Sequence, residues 1–223
     1  MPLNLHLFST PGERDIRYIV DTSRPHLEHK SEPLVAYLPL ASLSNRWQEF
    51  TEKAFKGLAH LETVNTETMT FSEMEAILRR AHVVYIPGGN TFLLAHRLHA
   101  SRLMPYLRKK VLSGLPLVAF SAGAILCGPN ILTSHDMNMV ETTNFSGLNL
   151  APFNFHAHYV DDIDSDDWLS DFHVFQPTPI ILLEDGAYIH VDGKKTSLVR
   201  GEAWVLRRGQ EKEKIAVGSE IRI

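Results

Sequence analysis

The chain has 223 residues, a size that fits one α/β domain over residues 1–223. Its 44% hydrophobic content is that of an ordinary soluble core, and no apolar run approaches the roughly 20 residues needed to cross a bilayer. Twenty-two basic against twenty-six acidic residues leave a formal charge of −4, which excludes the strongly basic footprint of a nucleic-acid binder. The opening Met1-Pro2-Leu3-Asn4-Leu5-His6 has no basic region followed by an apolar core. A secretory leader is therefore not expected, and the cytoplasm is the expected compartment. The lone Cys127 leaves nothing to pair with inside the chain and fits reducing surroundings.

In chain order, Leu34 to Leu38 after Pro33 reads as a buried strand. Ser44 is the expected cap of a helix in which Trp47, Phe50, Ala54, Phe55 and Leu58 recur at spacings of three and four. Leu61 to Val64 is a second strand, and Ser72 with Glu75 has the capping-box spacing for a helix through Arg80. Val83 to Ile86 is again a buried strand. It stops at Pro87-Gly88-Gly89-Asn90-Thr91, where another helix begins. Leu115 to Phe120, between Gly114 and Ser121, is the clearest strand, and Phe153 to Phe155 is a short one. Strands alternating with helices imply a three-layer α/β sandwich with a mostly parallel central sheet.

The segment from Asp161 to Asp171 carries six aspartates and no lysine or arginine, and such charge commonly marks a solvated surface loop. Ala187 to Val191 and Thr196 to Val199, joined through Asp192-Gly193, read as a hairpin. Ala203 to Leu206 and Ile215 to Val217 follow. All of these are expected to be antiparallel and packed at the edge of the sheet.

Chemistry concentrates at Ala119-Phe120-Ser121-Ala122-Gly123-Ala124. A nucleophilic serine needs a sharp strand-to-helix turn that lifts its hydroxyl off the sheet, with small neighbours that let the backbone make the turn. The usual pattern has glycine two residues before the serine, and here the residue is Ala119. The Ala122 N–H is a candidate oxyanion donor. Taken alone, Ser-Ala-Gly is more often a tight turn without catalysis. A second loop, Gly88-Gly89-Asn90, follows the preceding strand, and loops at the carboxyl ends of neighbouring parallel strands share one crevice. Its glycines allow close backbone approach to a ligand and a second oxyanion donor.

His158, just beyond the Phe153–Phe155 strand, is the candidate base, and Asp136 and Asp185 are the candidate carboxylates that orient it. Two other classes compete. His156 and His158 alternate, so both could face a divalent ion with Asp161 or Asp162 nearby, as in a metal-dependent hydrolase. A catalytically silent binding module would keep the pocket with a misaligned triad. An amidase or esterase acting on a non-peptide substrate would use the same groups. Cys127 falls within the helix after the turn, where a cysteine is usually a small buried residue.

The order and spacing of Ala36-Tyr37-Leu38-Pro39, Pro87 to Phe92, Phe120 to Ala124, Thr133 to Met137, Gly147 to Leu150 and His158 resemble the peptidase E (alpha-aspartyl dipeptidase) family. The resemblance covers most of the segment from about Leu34 to Tyr159. It implies a class I glutamine amidotransferase-like (flavodoxin-like) fold in which serine replaces the cysteine nucleophile. It further implies Ser121 as nucleophile, His158 as base and Asp136 as third triad member, with Asp185 as the rival for that place. Hydrolysis of short peptides, including Asp-X dipeptides, through an acyl-enzyme is the activity implied, with no metal or organic cofactor. The acidic stretch after His158 departs from what a substrate carboxylate calls for, and favours an amino group or a basic side chain. The resemblance leaves open whether the chain is a monomer or a homodimer.

Overall fold

A computed structural model describes residues 2–10, 16–44 and 46–222. The chain runs through β1 (Asn4–Phe8), α1 (Ile16–Leu27), β2 (Leu34–Tyr37), α2 (Arg46–Phe55), β3 (His60–Thr63), α3 (Phe71–Arg80), β4 (Val83–Ile86), α4 (Thr91–Ala100) and α5 (Leu103–Leu112). It continues through β5 (Leu117–Phe120), α6 (Ala122–Ile125), β6 (Asn154–Ala157), α7 (Ile163–Phe175), β7 (Ile180–Leu183), β8 (Tyr188–Asp192), β9 (Lys195–Arg200), β10 (Ala203–Leu206) and β11 (Glu213–Lys214).

The larger sheet has the order β3-β2-β4-β5-β1-β8-β9. From β3 to β1 every pairing is parallel, and β8 and β9 extend the sheet antiparallel beyond β1. Its strands are apolar at successive positions because both faces are covered. On β4, Val83 and Tyr85 point into a core with Ile19 and Leu27 of α1 and Phe55 of α2. Val84 and Ile86 point the other way, onto Met74 and Leu78 of α3, Leu94 and Leu98 of α4, and Leu107 and Val111 of α5. Helices on both faces of a mostly parallel sheet make this an α/β fold in three layers. Among the described residues, no helix is long and apolar enough to cross a membrane.

Several expectations need correction. Only the β8–β9 hairpin joins the main sheet. The later strands form a second sheet, β11-β10-β7-β6, in which β6 and β7 are parallel. The reason is that Ile180-Ile181-Leu182-Leu183 is apolar on both faces. Ile181 and Leu183 pack into the core shared with the main sheet, while Ile180 and Leu182 need separate cover. The aspartate-rich segment supplies it as helix α7 rather than as a loop, with Leu169 and Phe172 against Ile180, Leu182 and Trp204. Asp162 caps that helix by accepting from the Ser165 N–H at 2.9 Å. The final strand is Glu213–Lys214, directly before the expected Ile215 to Val217. The capping box of α3 uses Thr70 and Glu73, two residues ahead of the Ser72–Glu75 pair that has the same spacing. Phe50, expected on the buried face of α2, is 43% exposed. The Trp47 side chain, also expected there, lies outside the described residues, as does Asn45 beside the expected Ser44 cap.

β1 and α1 carry no strong pattern in the sequence, yet β1 lies between β5 and β8. Its buried His6 stacks on His190 of β8 at 4.4 Å, and its Nδ1 lies 2.6 Å from the Tyr188 hydroxyl. Burial, then the neighbouring His190 and His26, pull the His6 pKa down to about 3. Burial also lowers His26 and His190. A histidine whose folded pKa is depressed is protonated more readily in the unfolded chain, so its stabilising contribution is complete above about pH 6.5. It is lost progressively as pH falls toward about 3. We expect His6→Gln to flatten this loss by about 1 kcal/mol per pH unit in urea denaturation between pH 6.5 and 4; parallel curves for the two proteins would contradict it.

Candidate active site

Ser121 ends β5 with φ 50° and ψ −117°, a conformation an L-residue avoids and one that costs about 1–3 kcal/mol. Three backbone bonds hold the turn, two of them made by Ser121 itself. The Ser121 N–H donates to Phe8 O at 3.0 Å, and Ile125 N and Leu126 N donate to the carbonyls of Ser121 and Ala122, both at 3.0 Å. A β-carbon on Gly123 would lie 2.5 Å from Ile86 O and 3.1 Å from the Ala119 methyl. The glycine that lets α6 close onto the sheet is therefore Gly123, which faces Ala119, and alanine is tolerated where the usual turn has glycine.

His158 follows β6 directly, with φ 60°. Its Nε2 lies 2.8 Å from Ser121 Oγ, and its Nδ1 lies 2.7 Å from Asp185 Oδ1. With Nδ1 protonated toward the carboxylate, Nε2 is free to accept the serine proton. Asp185 stands in a turn between β7 and β8, closed by Ala187 N to Glu184 O at 3.0 Å. Gly186, at φ +87°, supplies the left-handed residue that the turn requires. His158 and Asp185 are both well exposed, so a substrate entering from solvent meets them directly.

Asp136, the acid expected on His158, is committed elsewhere. Its Oδ2 accepts from Thr91 N at 2.7 Å, Thr91 Oγ1 at 2.6 Å and Ser134 Oγ at 2.8 Å. It anchors the start of α4 and so fixes the glycine loop from behind. Asn90 is likewise a cap, accepting from Leu93 N at 2.9 Å and donating to Met137 O at 2.8 Å. The loop itself reaches the serine. A β-carbon on Gly88 would sit 3.0 Å from Ser121 Cβ and 2.7 Å from the Phe120 ring, and one on Gly89 would sit 2.4 Å from Ala41 O. Among the described residues, no backbone carbonyl accepts from the amides of Gly88, Gly89 or Ala122.

The two alternating histidines diverge. His156 is buried, its Nδ1 2.9 Å from Thr133 O and its ring against His135 and Trp168. Burial pulls its pKa down to about 4 against the opposing Thr133 bond. The left-handed backbone at 158 swings the second imidazole toward Ser121 instead. Among the described residues, no three His, Cys, Asp or Glu side chains gather as a metal-binding group. Cys127 is buried, donates to Gly123 O at 3.3 Å, and has its thiol pKa pushed up by burial, so it stays a thiol.

A depression of about 490 Å³ is lined by Ser134, His135, Asp136, Asp164, Ser165 and Trp168, and it is linked to the site through Asp136, which anchors the glycine loop. A larger hollow, bounded by Pro33, His60 and Arg80, lies at the other end of the parallel strands and contains none of these groups. Two residues were not legible as site components. Lys212 bonds Asp161, Asp166 and the Tyr159 hydroxyl, and these bonds hold its pKa up although burial opposes them. Ser9, at the end of β1, contacts both His158 and Asp185.

Residues 9–199 match the model of peptidase family S51. A peptidase E of Shewanella amazonensis is 29% identical over 216 residues, covering 88% of this chain and 92% of the relative. One from Shewanella denitrificans is 30% identical over 215 residues, covering 88% and 92%. A solved structure from Listeria monocytogenes EGD-e superposes with a TM-score of 0.71 at 25% identity, over 90% of this chain and all of the other. A peptidase from an acI-B1 Actinobacterium shares the fold, with a TM-score of 0.73 at 17% identity over 100% and 98% of the two chains.

Removing the Asp136 carboxylate strips three donors of their acceptor. Asp136→Ala is therefore expected to lower unfolding stability by about 1–3 kcal/mol in a denaturant titration. A variant as stable as the parent would contradict the anchoring role.

Proposed function

Because the chain belongs to peptidase family S51, and is therefore a serine peptidase, we propose that Ser121, His158 and Asp185 act together in the hydrolysis of short peptides, in the manner of a dipeptidase. The observation that carries this reading is the continuous pair of contacts, 2.8 Å from Ser121 Oγ to His158 Nε2 and 2.7 Å from His158 Nδ1 to Asp185.

In this mechanism the Ser121 oxygen attacks the peptide carbonyl while its proton passes to His158 Nε2. The negative charge that develops on the carbonyl oxygen faces the amides of Ala122 and of the Gly88-Gly89 loop, which have no competing carbonyl among the described residues. His158 then hands the proton to the departing amine, leaving an acyl group on Ser121. Water, deprotonated by the same imidazole, releases the acid and restores the serine. Asp185 holds the tautomer with the proton on Nδ1 and stabilises the cation formed in each half-reaction.

The substrate preference follows from the walls. Lys212 pairs with Asp161 and Asp166 and offsets one of their two charges, so the acidic stretch is less negative as a whole than its composition suggests. Asp136, behind the glycine loop, and Asp164 nevertheless line a depression that also holds the Trp168 ring. Carboxylates beside an aromatic face favour an ammonium or guanidinium over a carboxylate. The reading is thus a small-peptide exopeptidase that prefers a cationic N-terminal residue to aspartate.

A serine-reactive phosphonate should add once to the parent protein by intact mass, and neither Ser121→Ala nor His158→Ala should be labelled. An unlabelled parent that also fails to cleave any dipeptide would overturn the reading. In a dipeptide panel, Lys-X or Arg-X should exceed Asp-X in kcat/KM by at least about tenfold, a difference of about 1.4 kcal/mol. Cleavage confined to Asp-X would contradict the preference while leaving the triad intact.

A further inference from the structure

The three groups assigned to the reaction come from different parts of the fold. Ser121 stands on the main sheet after β5, His158 on the second sheet after β6, and Asp185 in the turn from β7 to β8. A single dipeptide at the end of β1 touches all three. Phe8 O accepts the Ser121 N–H at 3.0 Å. The Ser9 N–H donates to Ala187 O at 3.0 Å, holding the turn that carries Asp185. Ser9 Oγ accepts the His158 N–H at 2.8 Å, and its one proton is shared between Leu183 O and Asp185 Oδ1, which lie 3.1 and 3.4 Å from Oγ.

We propose that Ser9 is a positioning residue for the reaction, setting the base and the acid relative to the nucleophile through its hydroxyl. The argument is one of hydrogen-bond accounting. His158 has left the strand at φ 60°, so its amide has no ladder partner, whereas the next residue resumes pairing through Tyr159 N to Leu183 O at 2.9 Å. The Ser9 hydroxyl takes up that orphan amide and relieves a conformation the backbone otherwise resists. The same oxygen carries the proton shared between β7 and the Asp185 carboxylate, so imidazole and carboxylate are referenced to one atom. Ser9 is fully buried and touches no space a substrate would enter, so it acts through His158 and Asp185. An alkyl or thiol group of similar size would fill the same volume without fixing either partner. A displacement of the base by a fraction of an ångström is enough to slow proton transfer.

This inference rests on the reading of Ser121, His158 and Asp185 as the reacting groups, and the test separates the two. Ser9→Ala, Ser9→Cys and Ser9→Thr would be compared with the parent for dipeptide turnover and for the Nδ1–H resonance of His158 in protein carrying 15N-labelled histidine. Ser9→Ala and Ser9→Cys are expected to lose about 10- to 100-fold in kcat with KM changed by less than about threefold. Both should broaden or lose the resonance, and Ser9→Thr, which keeps a hydroxyl, should restore both readouts. Should Ser9→Ala fail to fold, Ser9→Cys carries the comparison. A parental kcat and a parental resonance in Ser9→Cys would overturn the role, as would equal impairment in Ser9→Ala and Ser9→Thr, which would mark a packing effect. Because the resonance is read without substrate, it tests Ser9 even if the parent cleaves no peptide, the result that would instead defeat the functional reading.

Discussion

The proposed reaction requires Ser121 on one sheet to meet His158 on the other and Asp185 in the turn after β7, and the contact between the two sheets at the end of β1 brings them together. β1 is flanked by β5, which presents Ser121, and by β8, which follows the Asp185 turn. Its last residues bond to the backbone on either side and to the His158 amide from the second sheet. Two left-handed residues, Ser121 and His158, are held against their preference at this junction. Their strain is sustained by the hydrogen bonds that tie their backbones to β1, as is common where geometry serves chemistry.

The two candidate carboxylates illustrate how location decides role. Asp136 receives three donors on Oδ2, two of them from Thr91 at the start of α4 and one from Ser134. Asp185 is exposed in a turn, with one oxygen directed at the imidazole. Both serve the site: one fixes the loop that approaches the serine from behind, the other faces the base. The glycines divide in the same way. Gly88 and Gly89 allow the loop to come against Ser121 and Ala41, while Gly123 lets the short helix after the serine lie on Ile86 and Ala119.

Much of this was legible in the sequence, for definite reasons. The parallel strands were visible because burial on both faces demands continuous apolar runs, and Ser121 because a strand followed by small residues announces a turn. His158 is suggested by its place just beyond the Phe153–Phe155 strand, and the resemblance separates it from the eleven other histidines. The choice between Asp136 and Asp185 is not legible in the sequence, because it depends on contacts such as His158 to Asp185, across 27 residues, and Thr91 to Asp136, across 45, that no local pattern encodes. β1 was missed because Asn4 and His6 interrupt its apolar character, and His6 is accommodated by stacking on His190. The acidic stretch was read as a loop because its charge hides the sparse apolar face of Leu169 and Phe172, which only the second sheet makes meaningful. Lys212, more than forty residues downstream of the aspartates it pairs with, leaves no trace in the local charge pattern.

The measurement that bears most directly on the account is the rate of phosphonate inactivation in Asp185→Asn beside Asp136→Asn, at a temperature where both are folded. If Asp185 orients the base, its variant should react about 10²- to 10⁴-fold more slowly than the parent, and Asp136→Asn should stay within about tenfold. A parental rate in Asp185→Asn with a severe loss in Asp136→Asn would contradict the account and return the third role to Asp136.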